Sequence, residues 1–255
     1  MFGPRREVCM RLAVLYDIHG NLPALEAVLE DVRHADVDRV VVGGDVIPGP
    51  MPREALTLLL SLDLPAQFIV GNGEVAVLEQ LAGRDPTGIP EPYRPALRWT
   101  AAQVSRYEQV LSGWPKTLRV EIPGYGDALF CHATPRHENE CFTRLTPEER
   151  LVPIFDGLGV RLVVCGYTHM QFDRMVGTTR VVNAGSVGMP FGEPGADWLL
   201  LGPDVQLRHT VYDFADAAGR IRRTGFPWPE DFAARHVLRP PPAQDMLDLY
   251  TKASI

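Results

Sequence analysis

Aspartate, asparagine and histidine side chains follow five short apolar runs of this sequence, each at the point where a buried strand would end. The residues in question are Asp17 and His19, Asp45, Asn72, His132 and His169. In open α/β sheets, ligands bind beyond the carboxyl ends of the strands, so these side chains could converge although they span more than half of the sequence. Carboxylate and imidazole groups together suit divalent transition metals. The pattern therefore indicates a metal centre.

Each of these residues has a simpler explanation when it is considered alone. Asp17 or Asp45 could cap the helix that follows it, and Asn72 could occupy a turn. His132 and His169 could each be a hydrogen-bonded histidine of the interior. The whole set would need a separate explanation at each of the strand ends, whereas one metal centre accounts for all of them. Metal binding is therefore the hypothesis that the pattern favours.

The elements around these residues are predicted to alternate between strand and helix. Short apolar runs predict buried strands at residues 12–16, 40–42 and 67–70. Apolar residues at helical spacing follow the three runs, at residues 22–32, 56–62 and 74–81. Strands that alternate with amphipathic helices predict βαβ units with parallel strands, and hence an α/β fold.

Further elements are predicted beyond residue 82. They are a helix over 95–111, strands over 118–122 and 128–131 joined by a hairpin turn at 123–126, a helix from the N-cap Thr146 to about residue 158, and strands over 161–165, 180–183, 198–201 and 205–212. A proline-rich tail from about residue 213 contains short helices over 230–236 and 244–250. Residues 83–95 are rich in proline and glycine, so they form either a plain connector or a lid over the site.

The composition is that of an ordinary globular protein. The chain has 255 residues, of which 45% are hydrophobic and 22% charged, and we expect a single domain over residues 10–255, with residues 1–9 as a disordered extension. The net charge of −7 argues against general binding to nucleic acid, because proteins that bind it in this way are basic.

Location and partners are constrained by what the sequence lacks. No apolar run approaches the ~20 residues that cross a bilayer, so no membrane partner is expected. No apolar signal segment follows the N-terminus. The four cysteines form no C-x-x-C pair, which favours the reducing cytoplasm. The sequence carries no signal for the oligomeric state.

The motifs together resemble those of the calcineurin-like metallophosphoesterases, in particular their compact bacterial branch of YfcE-like phosphodiesterases. Over residues 11 to about 212, the resemblance is carried by Asp17-Ile18-His19-Gly20-Asn21, Gly43-Gly44-Asp45, Gly71-Asn72, His132, Gly166-Tyr167-Thr168-His169 and Asn183-Ala184-Gly185-Ser186-Val187-Gly188. It implies an α/β fold with a two-sheet β-sandwich flanked by helices, which is the four-layer α/β/β/α arrangement of that family.

The same resemblance implies a site with two divalent transition-metal ions. Metal one would be held by Asp17, His19, Asp45 and His169. Metal two would be held by Asn72, His132 and Asp45, which bridges the ions. A hydroxide between the ions would attack phosphorus in line, and the substrate would be a phosphodiester of a small molecule or a nucleotide. No thiolate is among the ligands, so Mn²⁺, which we favour, and Fe, Zn²⁺, Co²⁺ or Ni²⁺ all suit them.

Two residues depart from the family pattern. Tyr167 stands where the Gly-His-x-His motif places an imidazole ligand of metal two, and a phenol with a pKa near 10 binds a metal only when it has lost its proton. Metal two therefore either takes Tyr167 as a ligand or binds more weakly. Gly73 replaces the histidine that usually protonates the leaving group, which favours esters whose leaving group needs little help, or another donor such as His137.

These departures also support an alternative function. A protein that keeps the fold but has lost turnover would be a non-catalytic metal-binding or protein-interaction scaffold, and Tyr167 and Gly73 are the two residues that favour it.

Other residues near the motifs have two interpretations each. The backbone N–H groups of residues 185–188 could bind a phosphate or form a tight turn beneath the site. Arg136, Arg144 and Arg174 could bind a substrate phosphate, although surface ion pairs explain them more simply. Cys131 and Cys165 adjoin candidate ligands, but thiols within apolar runs are usually small buried hydrophobic residues.

Overall fold

Two five-stranded sheets contain the strands in the part of the chain that the structure describes. The computed structural model describes residues 10–86, 89–123 and 126–255. The strands are β1 (Leu12–Leu15), β2 (Arg39–Val42), β3 (Ala66–Phe68), β4 (Thr117–Ile122), β5 (Gly126–Cys131), β6 (Leu162–Cys165), β7 (Phe172–Val176), β8 (Thr179–Asn183), β9 (Ala196–Leu201) and β10 (Val205–Thr210).

Parallel strand pairs lie within both sheets. The first sheet has the order β10-β9-β1-β2-β3, in which β1, β2 and β3 are parallel and Leu12 lies opposite Arg39. Strand β9 runs antiparallel to β1 and to β10. The second sheet has the order β4-β5-β6-β8-β7, with β5, β6 and β8 parallel and the two outer strands antiparallel to their neighbours. The carboxyl ends of parallel strands share one edge of each sheet, which is where α/β sheets place their sites.

Helices connect the strands and cover the sheets. They are α1 (Leu22–His34), α2 (Pro52–Leu60), α3 (Asn72–Leu81), α4 (Arg94–Val104), α5 (Glu108–Ser112), α6 (Glu148–Phe155), α7 (Phe214–Arg222), α8 (Pro229–Phe232) and α9 (Ala243–Lys252), with 3₁₀ turns at Glu91–Tyr93 and Ser105–Tyr107 and a π-helical turn at Ala233–Leu238. The Asn21 side chain accepts a hydrogen bond from Ala24 N–H and so caps α1. Within the described ranges, no helix has both the length and the apolar character needed to cross a membrane.

Alternate residues of the strands pack into different cores. On β1, Leu12 and Val14 pack between the two sheets, whereas Ala13 and Leu15 pack against the helices that cover the first sheet. The outer face of the second sheet packs against α6 in a third core. These layers run helix, sheet, sheet, helix, which confirms the predicted fold class.

The buried Tyr16 links the two sheets. It follows β1 and packs between the sheets, and its hydroxyl donates to the carbonyl oxygens of Cys131 at 3.0 Å and Val164 at 2.9 Å. The polar end of this large side chain is thereby satisfied inside the sandwich. The first sheet is thus hydrogen-bonded to β5 and β6 directly beside the strand ends.

Most predicted elements are present with shifted ends, and two predictions were wrong. The helix expected over 95–111 is interrupted, because the 3₁₀ turn Ser105–Tyr107 separates α4 from α5. Thr146 does not cap α6; its Oγ1 instead accepts from Thr143 N–H, and the N-cap is Pro147. Strand β7 and helix α7 were not predicted. Residues 1–9, Gly88 of the predicted connector or lid, and Gly124 and Tyr125 of the hairpin turn lie outside the described residues.

Candidate metal centre

The six candidate ligands lie beyond strands of both sheets. Asp17 and His19 follow β1, Asp45 follows β2, Asn72 begins α3, His132 follows β5 and His169 follows β6. Backbone hydrogen bonds join these segments: Asp17 N–H donates to Gly44 oxygen at 3.1 Å, and His19 N–H donates to Asp45 oxygen at 2.9 Å. The loops therefore hold one another in place before any side chain is considered.

Most of these loop residues adopt a backbone conformation that is rare for non-glycine residues. Positive φ angles occur at Asp17 (53°), His19 (48°), Asp45 (52°), Tyr167 (68°) and His169 (58°). Left-handed backbone costs an L-residue roughly 1–2 kcal/mol, so it persists only where the surrounding structure imposes it. The recurrence of this backbone conformation around the site indicates that the loops hold these side chains in defined orientations.

Imidazole nitrogens and carboxylate oxygens meet in two groups, Asp17 with His19 and His169, and Asp17 with Asp45 and His132. Within each group the possible ligand atoms all lie within 4.8 Å of one another. His169 Nε2 lies 3.4 Å from Asp17 Oδ1 and 3.1 Å from His19 Nε2. His132 Nε2 lies 3.5 Å from Asp45 Oδ1, and the other Asp45 oxygen, Oδ2, lies 3.9 Å from His19 Nε2. Each carboxylate therefore reaches both groups.

The tautomer of all three histidines is set by backbone carbonyl groups. The Nδ1 atoms of His19, His132 and His169 lie 3.3, 2.9 and 3.0 Å from the carbonyl oxygens of Pro48, Gly43 and Met189. A carbonyl oxygen only accepts hydrogen bonds, so Nδ1 carries the proton in each ring. The neutral ring then presents a lone pair at Nε2, which is the form that binds a metal ion.

When the three rings are neutral, several acceptor atoms face one another without a proton between them. His19 Nε2 faces His169 Nε2, and His132 Nε2 lies 2.9 Å from Asn72 Oδ1. Asp17 Oδ1 is buried and has no hydrogen-bond partner among the described residues. A buried oxygen left in this way costs free energy unless a cation or proton satisfies it. The residues therefore fit divalent cations, as the family resemblance implied.

Charges within the cluster act in opposite directions. Burial alone would raise the pKa of Asp17, but the positive charge that the neighbouring His169 and His132 rings carry when protonated outweighs it and lowers that pKa. Burial and the charge of Asp17 raise the pKa of Asp45 well above its usual range. Burial lowers the pKa of His19 to about 3. The two buried carboxyl groups therefore have too little positive charge around them to be ionised together. Bound divalent cations would provide this charge in place of protons.

Glu74 organises the loops that carry Asp45 and Asn72. Its carboxylate is fully buried and accepts backbone N–H groups from Asp45 at 2.8 Å, Gly71 at 2.8 Å and Ile47 at 3.1 Å. Burial raises the pKa of Glu74 to about 7, although these hydrogen bonds favour the ionised form. The bond to Gly71 is that of a capping-box residue at the start of α3.

The glycine at position 73 is explained by close packing. A Cβ atom there would lie 2.1 Å from the Ile47 carbonyl oxygen and 3.0 Å from Asp45 Oδ1. Gly73 N–H also donates to Asp45 Oδ1 at 2.7 Å. The backbone approaches the Asp45 carboxylate so closely that this chain has no space for the histidine that the family pattern places there.

The segment 185–188 is a turn beneath the site. Gly185 N–H donates to Asn183 Oδ1 at 2.9 Å, Val187 N–H to Tyr16 oxygen at 2.9 Å, and Gly188 N–H to Asp17 oxygen at 3.0 Å. These groups are therefore already used, and the interpretation as a phosphate-binding loop was wrong for them. Ser186 Oγ also donates to Asp17 oxygen at 2.7 Å, so the turn supports the first ligand loop.

Tyr167 and two residues absent from the sequence-based site form an aromatic wall beside it. The Tyr167 ring lies edge-on to His132, with ring centroids 5.8 Å apart, and burial raises its pKa to about 12. Phe191 stacks on His169 at 5.5 Å. Tyr250 of α9 contacts both Tyr167 and Phe191, at centroid distances of 6.4 and 6.2 Å. The C-terminal helix therefore reaches the candidate metal centre.

A cavity of about 200 Å³ adjoins the centre, with His19 in its wall. Its other lining residues are Pro48, Gly49, Tyr93, Ala96, Met189, Phe226, Trp228, Asp231, Phe232 and His236. Tyr93 belongs to the predicted connector or lid, so part of that segment borders the cavity. A larger cavity of about 330 Å³ includes Arg11, Asp31 and Arg208 and shares no lining residue with the six candidate ligands.

Arg136, Arg174 and the two thiols near the motifs have structural roles. Arg136 forms an ion pair with Glu140, and Arg174 Nη1 donates to the carbonyl oxygens of Arg144 at 3.0 Å and Thr146 at 2.9 Å. Cys131 and Cys165 are free and buried, and burial raises the pKa of both thiols. His137 lies in a small cleft with His132 and is about half exposed.

The chain belongs to the calcineurin-like phosphoesterase superfamily, because the pattern of that superfamily domain matches residues 10–202. A protein of Methanocaldococcus jannaschii described as uncharacterized is 30% identical over 164 residues. This match spans 63% of the present chain and 63% of the length of that relative. The family implies divalent metal ions, in agreement with the two Asp/His groups.

Two solved structures share the fold. A hypothetical protein from Pyrococcus horikoshii OT3 has a TM-score of 0.76 at 21% identity, covering 91% of this chain and 99% of that one. A metallophosphoesterase from Sphaerobacter thermophilus has a TM-score of 0.69 at 27% identity, covering 89% of this chain and 98% of that one. Both likenesses extend beyond the residues that the superfamily pattern matches.

Proposed function

We propose that this protein is a metal-dependent phosphoesterase that hydrolyses phosphodiesters of small molecules or nucleotides. The observation that carries the proposal is the buried, unpartnered Asp17 Oδ1, which lies 3.4 Å from His169 Nε2 and 3.7 Å from His132 Nε2. An arrangement of acceptors around a buried oxygen suits cations and not a hydrogen-bonded core. Membership of the phosphoesterase superfamily supports phosphate esters as the substrate class.

The proposed ligands divide between two positions. Asp17, His19, Asp45 and His169 would hold the first cation, and Asp45, Asn72 and His132 would hold the second. Bound divalent cations would stabilise charge on the phosphoryl oxygens and lower the pKa of a water molecule that attacks phosphorus. Nitrogen and oxygen ligands without a thiolate suit Mn²⁺, and equally Fe, Zn²⁺, Co²⁺ or Ni²⁺.

The remaining residues keep the ligands in place. Carbonyl groups fix the three imidazole tautomers, Glu74 holds the loop of Asp45, and Ser186 holds that of Asp17. Asp45 Oδ1 accepts a hydrogen bond from Gly73 N–H, which orients the carboxylate that we expect to bridge the cations. Fixed orientation limits the reorganisation that the site needs during reaction, which is how such sites lower a barrier.

The test is hydrolysis of bis(p-nitrophenyl) phosphate by purified protein with each of the five metals. We expect Mn²⁺-stimulated release of p-nitrophenolate, and a loss of at least a hundredfold in Asp45→Ala. Asp63→Ala is the matched control, because Asp63 is exposed on the surface, and it should hydrolyse the ester like the unaltered protein. Absence of turnover with all five metals, with Asp45→Ala behaving identically, would refute the catalytic function.

A non-catalytic metal-binding scaffold is the second candidate, and Tyr167 favours it. Burial raises the pKa of its phenol to about 12, so the phenol is neutral in the metal-free protein and offers an anionic ligand only if it loses its proton, at the position where the family motif has an imidazole. This alternative predicts that the protein binds Mn²⁺ without hydrolysing the ester. Calorimetric metal binding and the hydrolysis assay on one preparation distinguish the two functions.

A further inference from the structure

We propose that the 200 Å³ cavity beside His19 binds an aromatic ring of the substrate, so that phosphate compounds carrying such a ring are preferred over those with short alkyl groups. An apolar cavity of about 150 Å³ is large enough to hold benzene. The volume here therefore suits one ring system. This inference rests on the proposed phosphoesterase function, but it concerns side chains other than the acidic metal ligands.

The cavity shares structural parts with the candidate metal centre. His19 lines it directly, and Pro48 and Met189 line it as well. The carbonyl oxygens of Pro48 and Met189 are the ones that accept the Nδ1 protons of His19 and His169. The cavity and the candidate metal centre therefore share a wall, so that the substituent of a phosphate at the centre would lie on the side of the cavity.

The lining is aromatic and already packed in defined orientations. Phe226 meets Trp228 edge-to-face, with ring centroids 6.0 Å apart and planes at 88°. Phe226 meets Phe232 at 6.0 Å and 85°. Rings held in this geometry offer edges and faces to a further ring without a change of rotamer, and the entropic cost of binding is correspondingly small. Such a cavity suits a flat ring better than a methyl or ethyl group.

One polar group in the wall has no partner in the described chain. His236 lines the cavity next to Phe232, and its Nδ1 atom is buried without a hydrogen bond. Ligand pockets commonly combine an apolar lining with a few polar groups that orient the ligand. Nδ1 is the atom available here for a hydrogen-bonding group on a bound ring.

Most aromatic residues of the cavity lining lie outside the part of the chain that the superfamily pattern matches. The superfamily pattern ends at residue 202, whereas Phe226, Trp228, Phe232 and His236 all come later. The candidate ligands all lie within the matched residues. The residues proposed to hold the metal ions thus lie within the matched part of the chain, and most of the aromatic residues proposed to select the substrate lie after it.

The test compares phenylphosphonate with methylphosphonate, which differ only in the ring and are not hydrolysed. Calorimetry with Mn²⁺-loaded protein should show at least tenfold tighter binding of phenylphosphonate, since apolar contacts in such pockets discriminate by about tenfold or more. Ala96→Leu would fill the cavity and should bring the two affinities within about threefold. Ala102→Leu is the matched control on the same helix, with an exposed side chain, and should keep the full preference.

A second comparison identifies the origin of the ring. The affinities of thymidine 5′-phosphate and ribose 5-phosphate are compared, because these compounds differ in the presence of a nucleobase attached through the sugar. If Ala96→Leu removes a preference for thymidine 5′-phosphate over ribose 5-phosphate, the ring is a nucleobase. If Ala96→Leu removes only the preference for phenylphosphonate over methylphosphonate, the ring is an aryl group attached directly. Trp228→Leu provides a second cavity variant should Ala96→Leu fail to fold.

The possible results separate this inference from the proposed function. Equal binding of the two phosphonates, binding of neither, or a phenyl preference that persists in both cavity variants overturns it. A selective cavity in a protein that hydrolyses no ester would support it while refuting catalysis. Ester hydrolysis without any preference for phenylphosphonate would support the proposed phosphoesterase function and overturn the inference about the aromatic ring.

Discussion

The Nε2 atoms of His19 and His169 lie 3.1 Å apart, and the Nδ1 atom of each ring faces a backbone carbonyl oxygen. When both rings are neutral, imidazoles in these tautomers direct lone pairs at each other. The contact is repulsive unless a positive charge lies between the rings or beside them. The pair is therefore most stable when a cation is bound.

Metal binding should raise the stability of the protein. A ligand present at 100 times its dissociation constant stabilises by about 2.7 kcal/mol, which corresponds to roughly 5–10 °C in Tm for a chain of this size. We expect Mn²⁺ to raise the Tm of the unaltered protein by this amount, and to have little effect on Asp17→Asn. Differential scanning calorimetry with and without chelator measures both. Asp63→Asn is the control, and an equal shift in Asp17→Asn would place the metal elsewhere.

Replacing Tyr167 should change the second metal position only. Tyr167→His introduces an imidazole beside His132, so we expect about tenfold tighter binding of the second Mn²⁺ ion, measured by calorimetry and metal analysis. Tyr167→Phe removes the phenol oxygen but keeps the ring contacts. It should leave both affinities unchanged, because the raised pKa keeps the phenol neutral. Weaker binding in Tyr167→Phe would show that the phenol is a ligand.

Adding a side chain at position 73 should disturb the loop of Asp45. The Cβ atom of Gly73→Ala would lie 2.1 Å from the Ile47 carbonyl oxygen, and overpacking of this kind costs about 1–3 kcal/mol. Chemical denaturation should show that loss, together with weaker Mn²⁺ binding. Gly219→Ala in α7 is the control, because the nearest atom there is the end of the Arg223 side chain at 3.4 Å. Unchanged stability of Gly73→Ala would mean that the loop adjusts freely.

Glu74→Gln should destabilise the protein although it preserves the shape of the side chain. Both Glu74 oxygens accept backbone N–H groups, and an amide nitrogen in place of one oxygen would face a donor. An unsatisfied buried donor costs about 1–3 kcal/mol. Urea denaturation measures this, with Glu79→Gln on the same helix as the control. A change below 0.5 kcal/mol, within the usual scatter of surface substitutions, would assign Glu74 no organising role.

Acid should remove the stability that two buried imidazoles, those of His19 and His236, contribute to the metal-free protein. Burial lowers the pKa of His19 to about 3 and that of His236 to about 4, against about 6.5 in an unfolded chain. The stability that these neutral rings contribute is present above pH 6.5 and is lost as the pH falls toward 4, because the unfolded chain binds the protons first.

The variant His236→Phe isolates one of these imidazoles. Between pH 7 and pH 5 with chelator, its free energy of unfolding should fall by about 1 kcal/mol less than that of the unaltered protein, after allowance for the partial exposure of His236. The exposed His34→Phe is the control. Identical pH dependence in His236→Phe and the unaltered protein would contradict the prediction.

The sequence was informative about the candidate ligands because local rules apply to them. Apolar runs mark strands, parallel strands end at a common edge, and Asp17, Asp45 and His132 stand directly after such runs. The proximity of Asp17 and Asp45, which follow neighbouring parallel strands, could therefore be expected from position along the chain, whereas that of His132, which follows a strand of the other sheet, depends on how the two sheets pack. Their role as ligands is still a prediction, and so are the single domain and the cytoplasmic location.

Residues whose role depends on distant contacts were not predicted. Glu74 looks like an ordinary acid in the first turn of a helix, and only the folded chain shows the three N–H groups around it. Strand β7 has just two buried residues, Phe172 and Val176, at its ends, so its apolar pattern is weak. Helix α7 was missed although Asp213, its N-cap, was a local signal. The cavity wall could not be foreseen, because residues 226–236 meet His19 only in three dimensions.

The positive φ angles at Asp17, His19, Asp45, Tyr167 and His169 mean that glycine would fit the backbone better at each of these positions. The protein is therefore not optimised for folding along this edge. Variants selected only for heat resistance would be expected to accumulate changes here and to lose metal binding as they do so. At this edge of the sandwich, stability and activity impose opposite demands on the same residues.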